Sequence, residues 1–271
     1  MKVLLLDGYN LIYRARYSFN RGDHSTVYSF FRSLRPLIEK FDPDLTYFAI
    51  EGYPEDRHRL LPEYKANRKR DDGDNFKAQK DLIISMLKEY FPVIVCRHPL
   101  HECDDVIANL VRYRHAEDEC TIVSSDTDFL QLYNTCKNAT VYNPIRKKNM
   151  DPPGLDYVEW KALKGDASDN IPGIKGIGDK RASALVNDPP RLAKFLRDDP
   201  ARMDVFSRNC NLIRFTDLRD ELDVLEISPP RCEWESIKEK FEELQFNSIT
   251  NEKSWIKFQH TFTKLEKNVV V

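Results

Sequence analysis

Long hydrophobic runs are absent from this 271-residue sequence. The longest, residues 3–6 and 93–96, fall far short of the ~20 apolar residues that cross a bilayer. No signal-peptide pattern precedes the first run, and the chain contains no repeat or low-complexity tract. With 41% apolar residues, it is too hydrophobic for a disordered or collagen-like class. We therefore expect a folded, soluble intracellular protein without a membrane partner.

Cysteine and nucleotide-binding motifs are also missing. The six cysteines include no CxxC pair and no Cys/His cluster along the sequence, so we expect reduced thiols and neither disulfides nor a zinc site. There is no Walker A sequence, and the GxGxxG dinucleotide fingerprint fails because Arg181 stands at its third glycine position.

Charge of either sign is not in excess, with 42 Lys and Arg against 44 Asp and Glu. A net charge of −2 gives no general attraction to a polyanion, but the charges are unevenly distributed. One stretch collects basic residues, namely Arg57, Arg59, Lys65, Arg68, Lys69, Arg70, Lys77 and Lys80.

Short apolar runs alternate with helical patterns over the first ~150 residues, which predicts a doubly wound α/β fold with a mainly parallel sheet. The second half of the chain, from about Asp156, has helical patterning with clustered glycines, and residues 234–244 predict one amphipathic helix. Strands are predicted at residues 3–6, 45–50, 93–96, 121–124 and, more weakly, 140–142, with helices at 28–41 and 104–113.

Acidic residues follow three of the predicted strands. Asp7 ends the first run, Glu51 ends the second, and Asp126 with Asp128 follows the run at 121–124. Because parallel strands all end at one edge of the sheet, these carboxylates are expected to meet there. Helix capping explains any one of these acids but explains the whole set poorly.

Further acids occur in two clusters. Glu102, Asp104 and Asp105 lie at the start of a predicted helix, and Asp166 and Asp169 follow Gly165. Nine carboxylates in one cleft would repel one another strongly unless bound cations were present, and an all-oxygen ligand set favours Mg²⁺ or Mn²⁺. Two such ions are the apparatus for hydrolysing a phosphodiester. The nine candidate metal-binding residues are Asp7, Glu51, Glu102, Asp104, Asp105, Asp126, Asp128, Asp166 and Asp169.

The sequence resembles the 5′ nucleases, which comprise flap endonucleases, phage 5′-to-3′ exonucleases and the 5′-nuclease domain of bacterial DNA polymerase I. The resemblance spans most of residues 1–190, and its pieces occur in the family's order. Glu51 departs from it, because the family usually has Asp there. The matching pieces are LLLDGYN (4–10), LPEYKANR (61–68), ECDD (102–105), SSDTD (124–128) and GDASDNIPGIKGIG (165–178).

The resemblance implies a PIN-like nuclease domain at residues 1–155, with a helical arch at about 53–82. It implies a helical DNA-binding region at 156–271, with a helix-hairpin-helix at about 160–190. Asp7, Glu51, Glu102, Asp104 and Asp126 would surround a first metal ion. Asp128, Asp166 and Asp169 would lie about a second, with Asp105 nearby.

The resemblance also implies the roles of the basic and glycine residues. In the arch, Lys65 and Arg68 would act on the scissile phosphate and Tyr64 would stack on a base. The hairpin would grip duplex DNA, often with a K⁺ ion. The residues expected at that DNA contact are Lys164, Gly173, Lys175, Gly176, Gly178, Lys180 and Arg181.

The expected activity is a structure-specific 5′ nuclease that uses two Mg²⁺ ions, for which Mn²⁺ substitutes. Its partner would be DNA with 5′ flaps, overhangs or nicks, including RNA primers on DNA, and it would act as a monomer in the cytoplasm of a bacterium or phage-infected cell. Two alternatives stay open from the sequence: a catalytically silent module that binds branched DNA, and a PIN-type ribonuclease.

Overall fold

A seven-stranded sheet forms the centre of the computed structural model, which describes residues 1–18, 22–68 and 73–269. Two further short strands pair separately as a hairpin. The strands are β1 (Lys2–Asp7), β2 (Leu45–Ile50), β3 (Ile94–Arg97), β4 (Glu119–Val123), β5 (Ala139–Asn143), β6 (Lys148–Asn149), β7 (Gly165–Asp166), β8 (Ile171–Pro172) and β9 (Glu226–Ser228).

Helices connect and cover these strands. Helix α5 continues into a π-helical turn at Leu110–Arg114, and two 3₁₀ helices occupy Thr127–Asn134 and Arg219–Val224. The α-helices are α1 (Gly8–Arg16), α2 (Ser25–Phe41), α3 (Glu55–Leu60), α4 (Asp74–Tyr90), α5 (Cys103–Asn109), α6 (Tyr157–Lys164), α7 (Asp179–Val186), α8 (Pro189–Arg197), α9 (Pro200–Ile213), α10 (Trp234–Glu243), α11 (Asn247–Thr250) and α12 (Glu252–Glu266). No helix of the described ranges is both long and apolar enough to cross a membrane.

The sheet runs in the order β6-β5-β4-β1-β2-β3-β9, and only the two edge strands are antiparallel to their neighbours. β1 lies at the centre and pairs in parallel with both β2 and β4. Buried on both faces, it has a continuous apolar sequence as parallel strands require. The predicted α/β fold with a mainly parallel sheet is confirmed. Its carboxyl edge holds Asp7, Glu51 and Asp126.

The carboxyl-terminal quarter of the chain returns to this sheet. β9 pairs with β3, and Phe241, Trp255 and Phe262 of α10 and α12 pack with Phe31 in one apolar core. The structure therefore differs from the predicted unit at 156–271, because the apolar faces of these last helices cover the nuclease half. Helices α6 to α9 form the remaining part, with two small cores, one of which also includes Leu61 and Tyr64 of the predicted arch.

Candidate metal centre and nucleic-acid interface

Three acids at the carboxyl edge of the sheet are held by hydrogen bonds and lack a cationic partner among the described residues. Asp7 ends β1 and accepts hydrogen bonds from Asn10 N (3.2 Å) and Ser124 Oγ (2.6 Å). Glu51 follows β2 and accepts from the backbone N–H of Cys103 at 3.0 Å. Asp126 follows β4 and caps the 3₁₀ helix after it.

Burial acts on the protonation of all three groups. It raises the pKa of Asp7 and of Asp126. Burial and the neighbouring Glu102 charge raise the pKa of Glu51 to about 7. Without a cation, these acids therefore hold protons at a higher pH than exposed carboxyls, and a divalent ion would reverse this preference.

Arg57, on α3, neutralises a second group of acids. The residue is only 5% exposed, and its guanidinium binds both carboxylate oxygens of Asp105 at 2.8 Å. It also contacts Glu102 and reaches Asp104 at 3.8 Å. Nε donates to Leu212 O at 3.1 Å, so one side chain ties the start of the predicted arch, the acids of α5 and the end of α9 together.

Two further arch cations point into the same cleft. Lys65 donates to Glu102 and lies 3.7 Å from Asp169, while Arg68 donates to Asp169. Burial alone would raise the pKa of Glu102, but the charges of Lys65 and Arg57 outweigh it and lower that pKa to about 2. Glu102 therefore stays ionised.

Lys161, on α6, lies between two acids of the predicted second metal group. Its ammonium contacts Asp128 and lies 2.6 Å from Asp166. Burial would lower the pKa of Lys161, but these negative charges raise it overall. Carboxylate oxygens of Asp128, Asp166 and Asp169 lie within 4.8 Å of one another, close enough to share one ion.

All nine predicted acids thus converge on one cleft, linked through the cations and hydrogen bonds described above. Asp105 has partners of its own, because both its oxygens bind Arg57 and Oδ1 also accepts from Thr216 N at 2.8 Å. Both oxygens of the Asp105 carboxylate therefore accept hydrogen bonds from the protein, and we do not count this residue among the metal ligands. The other eight form an oxygen-rich donor set that suits hard divalent cations.

Tyr64 differs from its predicted role of stacking on a base. The ring is 3% exposed, and its hydroxyl donates to Glu102 at 2.8 Å and to Asp169 at 3.3 Å. A buried ring has no face for a base, so Tyr64 connects two acids of the cleft in this structure. Lys69 and Arg70, also assigned to the basic stretch, lie outside the described residues.

A cavity of about 680 Å³ opens beside the unpaired acids. Asp7, Glu51, Asp126 and Arg68 are among its lining residues. Aromatic and hydroxyl side chains of α1 and α2 also line it. The cavity therefore gives a ligand direct access to the acids that have no cation of their own.

The glycine-rich segment forms the predicted helix-hairpin-helix between α6 and α7. Gly176 has φ of +79°, and a Cβ on Gly173 would lie 2.1 Å from Lys164 O, so both positions need glycine. Lys175, Lys180 and Arg181 are exposed around the hairpin. Lys164 is tied to Asp179 at 2.8 Å instead. Exposed cations around a glycine turn, whose backbone N–H groups a ligand can approach closely, are typical of a phosphate-binding surface.

Sequence reasoning missed several residues of the cleft. Arg57 counts in the sequence only as one member of the basic stretch, and Lys161 is not among the predicted site residues. The one available signal for Lys161 was its position on the apolar face of α6 with Tyr157 and Val158, where a lysine requires acidic partners. Cys103, which donates to Glu51 and lies 3.5 Å from Asp7 through Sγ, gave no signal.

Comparisons with known proteins match this architecture. The family model described as "5'-3' exonuclease, N-terminal resolvase-like domain" matches residues 2–159. The model described as "5'-3' exonuclease, C-terminal SAM fold" matches residues 153–219. A 5'-3' exonuclease of Aquifex aeolicus is 30% identical, covering 93% of this chain and 95% of that protein.

Other relatives extend well beyond this chain. The thermostable DNA polymerase I of Thermus filiformis is 30% identical over 93% of the chain, which spans 33% of that protein.

Among solved structures, the bacteriophage T5 flap endonuclease aligns with 98% of this chain and 100% of its own length, with a TM-score of 0.66 and 17% identity. That likeness shows the fold. The matches to the two family models and to the Aquifex relative confirm the resemblance, and the chain belongs to the 5′-3′ exonuclease family.

Proposed function

We propose that this chain is a structure-specific 5′ nuclease that hydrolyses DNA phosphodiesters with two Mg²⁺ ions, for which Mn²⁺ substitutes. The observation that carries the proposal is the unpaired trio Asp7, Glu51 and Asp126 on the wall of an open cavity. Buried carboxylates without cations are costly, and divalent ions would offset that cost. The names of the 5'-3' exonuclease relatives support the same activity.

The acids divide between two ions in this proposal. The unpaired trio, with Glu102 and Asp104, would hold the first, while Asp128, Asp166 and Asp169 would hold the second. Two divalent ions held there would supply a hydroxide at neutral pH and offset negative charge on the phosphate. Solved neighbours support divalent ions, since T5 5'-exonuclease was crystallised with zinc and T5 flap endonuclease with DNA and metal ions.

Lys65 and Arg68 serve the scissile phosphate. In this structure they bind Glu102 and Asp169. With those acids holding metal ions, the two cations would be free to bind phosphate oxygens. Charge-assisted contacts to the phosphate would then stabilise the transition state more than the bound substrate.

The hairpin holds the duplex on its phosphates, with exposed Lys175, Lys180 and Arg181 and with a K⁺ ion at the glycine turn. Such contacts position DNA without reading its sequence. The substrates are therefore DNA ends defined by shape: 5′ flaps, overhangs and nicks, with RNA primers accepted on DNA. The chain acts on them as a monomer.

A flap-cleavage assay tests the proposal. A 5′-labelled flap duplex should be cut with Mg²⁺ or Mn²⁺ and left intact with chelator. Duplex binding that persists without cutting in either metal would favour the silent branched-DNA module instead. Cutting confined to single-stranded RNA would favour the PIN-type ribonuclease.

The role of Lys65 needs a kinetic test. Lys65→Ala should lower the single-turnover rate by about 100-fold or more while changing duplex affinity by less than about threefold. The control is Lys137→Ala, which removes an exposed lysine remote from the cleft. A normal single-turnover rate in Lys65→Ala would overturn its assignment to the chemical step.

A further inference from the structure

Two histidines and a glutamate meet outside the acidic cleft. His98 and His101 lie in the loop between β3 and α5, and Glu221 lies on the 3₁₀ helix Arg219–Val224. One ligand atom from each of the three side chains lies within 4.8 Å of the others. The Nε2 atoms of His98 and His101 lie 3.2 and 3.9 Å from Glu221 Oε2. Residues distant in sequence therefore form a compact N,N,O set.

The contact between His98 and Glu221 is short but is not a good hydrogen bond. His98 is 1% exposed, and its Nε2 atom has no hydrogen-bond partner among the described residues. A buried polar atom in that condition usually has a ligand or water. With metal–ligand bonds of about 2.0–2.1 Å, two donors on a tetrahedral ion lie about 3.3 Å apart, which is close to the observed 3.2 Å.

We propose that His98, His101 and Glu221 form a binding site for one zinc-class divalent ion. Imidazole ligands favour Zn²⁺, Co²⁺ or Ni²⁺ over Mg²⁺, so this site and the all-oxygen cleft differ in the metals they select. Three protein ligands leave a fourth position for water. Because Glu221 is 48% exposed, the ion can enter from solvent.

His98 has the neutral ring that a metal ligand needs, but metal binding would break one of its hydrogen bonds. Burial and the neighbouring His101 lower the pKa of His98, so the ring is neutral near pH 7, as a metal ligand must be. Nδ1 accepts a hydrogen bond from Leu100 N at 3.2 Å, which places the ring proton on Nε2. Metal binding at Nε2 moves that proton to Nδ1, which then faces the Leu100 N–H donor, so this hydrogen bond is lost and the affinity is lowered.

The site would fix the loop that carries Glu102. His101 O accepts from Gly52 N at 3.0 Å, and Pro99 O accepts from Tyr53 N at 2.9 Å. The loop thus already supports the backbone that follows Glu51. An ion would join it to Arg219–Val224, the 3₁₀ helix that leads into β9. The expected effect is a more rigid loop and a more stable fold, without any contact to the DNA cleft.

Calorimetric titration with Zn²⁺ in excess Mg²⁺ tests the proposal, because Mg²⁺ competes with Zn²⁺ for the hard-ligand cleft and the Asp126→Asn variant below reports any Zn²⁺ bound there. We expect one Zn²⁺ per chain with a dissociation constant on the order of micromolar, and a Zn²⁺-dependent rise in Tm. Glu221→Gln and His101→Asn should each weaken Zn²⁺ binding by about tenfold or more. Asp126→Asn, which alters the acidic cleft, should leave this binding intact.

The controls separate the site from general histidine binding and from misfolding. His260→Ala removes an exposed histidine on α12 and should bind Zn²⁺ like the unaltered chain. Glu221→Gln changes a half-exposed side chain, so it should keep the Zn²⁺-free Tm. Unchanged Zn²⁺ affinity in Glu221→Gln and His101→Asn would overturn the proposal, and so would loss of the stoichiometric site in Asp126→Asn.

Discussion

The cleft contains two groups of acids that the fold treats differently. Asp7, Glu51 and Asp126 form no ion pair with any described residue and rely on hydrogen bonds. The other group is paired with cations from the arch and from α6, namely Glu102, Asp104, Asp105, Asp128, Asp166 and Asp169 with Arg57, Lys65, Arg68 and Lys161. The unpaired group has no cation from the described part of the protein, whereas the charge of the paired group is neutralised in part by four protein cations.

Removing one unpaired acid should give the largest effect. Asp126→Asn is expected to lower flap cleavage by about 10³-fold or more, because a neutral amide weakens the binding of a divalent ion needed for chemistry. Duplex binding through the hairpin should change by less than about threefold. Single-turnover rates and fluorescence anisotropy measure the two effects.

The control for Asp126→Asn is Asp151→Asn, an exposed acid outside the cleft that should have no effect on rate. Equal cleavage rates in Asp126→Asn and the unaltered chain would contradict the proposal that the unpaired acids bind a divalent ion needed for cleavage.

Removing a cation from the paired group should lower the free energy of unfolding, and this should be its main effect. Lys161→Met leaves Asp128 and Asp166 without their ammonium partner, which should destabilise the metal-free protein by about 3 kcal/mol. Mg²⁺ should restore much of this loss, since it replaces the missing charge. Urea unfolding with chelator and with Mg²⁺ measures both values.

Lys164→Met provides the comparison for Lys161→Met, because Lys164 pairs with the exposed Asp179 and should cost less than about 1 kcal/mol. A similar loss in both variants would mean that burial of the Lys161 pair contributes nothing.

The pH dependence of stability should follow the raised pKa values. Glu51 titrates at about 7 and Asp128 at about 6 in the folded chain, above their ordinary values of 4.5 and 3.8. The folded state then binds more protons than the unfolded state, so this stabilisation is complete below the ordinary values and is lost as pH rises through the folded ones. Between about pH 5 and pH 7.5, the metal-free protein should lose about 4 kcal/mol of stability.

Divalent ions should reduce this pH dependence by favouring the ionised carboxylates, so Mg²⁺ should raise Tm more at pH 7.5 than at pH 5. Denaturant unfolding across this range, with chelator and with Mg²⁺, provides the measurement. A metal-free stability that rises over the same interval would contradict the assignment of raised pKa values to these acids.

The smallest effect on stability and cleavage is expected at Tyr64, whose hydroxyl connects Glu102 and Asp169. Tyr64→Phe removes the hydroxyl that bonds Glu102 and Asp169 and should cost about 1 kcal/mol of stability. Cleavage should slow by less than about tenfold, and DNA affinity should stay constant because the ring is buried. A large loss of DNA affinity in Tyr64→Phe would instead indicate that this residue contacts DNA directly.

Much of the fold could be predicted because its signals are local. Short apolar runs identified four of the five parallel strands, and a weaker pattern at 140–142 marked the fifth; the acids that follow three of them identified the edge of the site. The helix α12 was missed, although Trp255, Phe258 and Phe262 recur at helical spacing, because its other residues are polar.

The pairing of charges inside the cleft could not be predicted in the same way. A sequence shows that Arg57 is basic but not that α3 turns it inward towards Asp105, since this depends on how distant elements pack. The same limit applies to His98, His101 and Glu221. Local composition predicted no zinc site, whereas the fold brings these three side chains together.

The pairing of β9 with β3 has a consequence for synthesis of the chain on the ribosome. β3 is made early, but the strand that covers its edge is encoded only at residues 226–228, and the aromatic helices come later still. At ~5–20 residues per second, that edge and the apolar surface around Phe91 stay uncovered for roughly ten seconds. The nascent chain is therefore the state most exposed to aggregation, and a product truncated before residue 226 would remain a lasting target for chaperones.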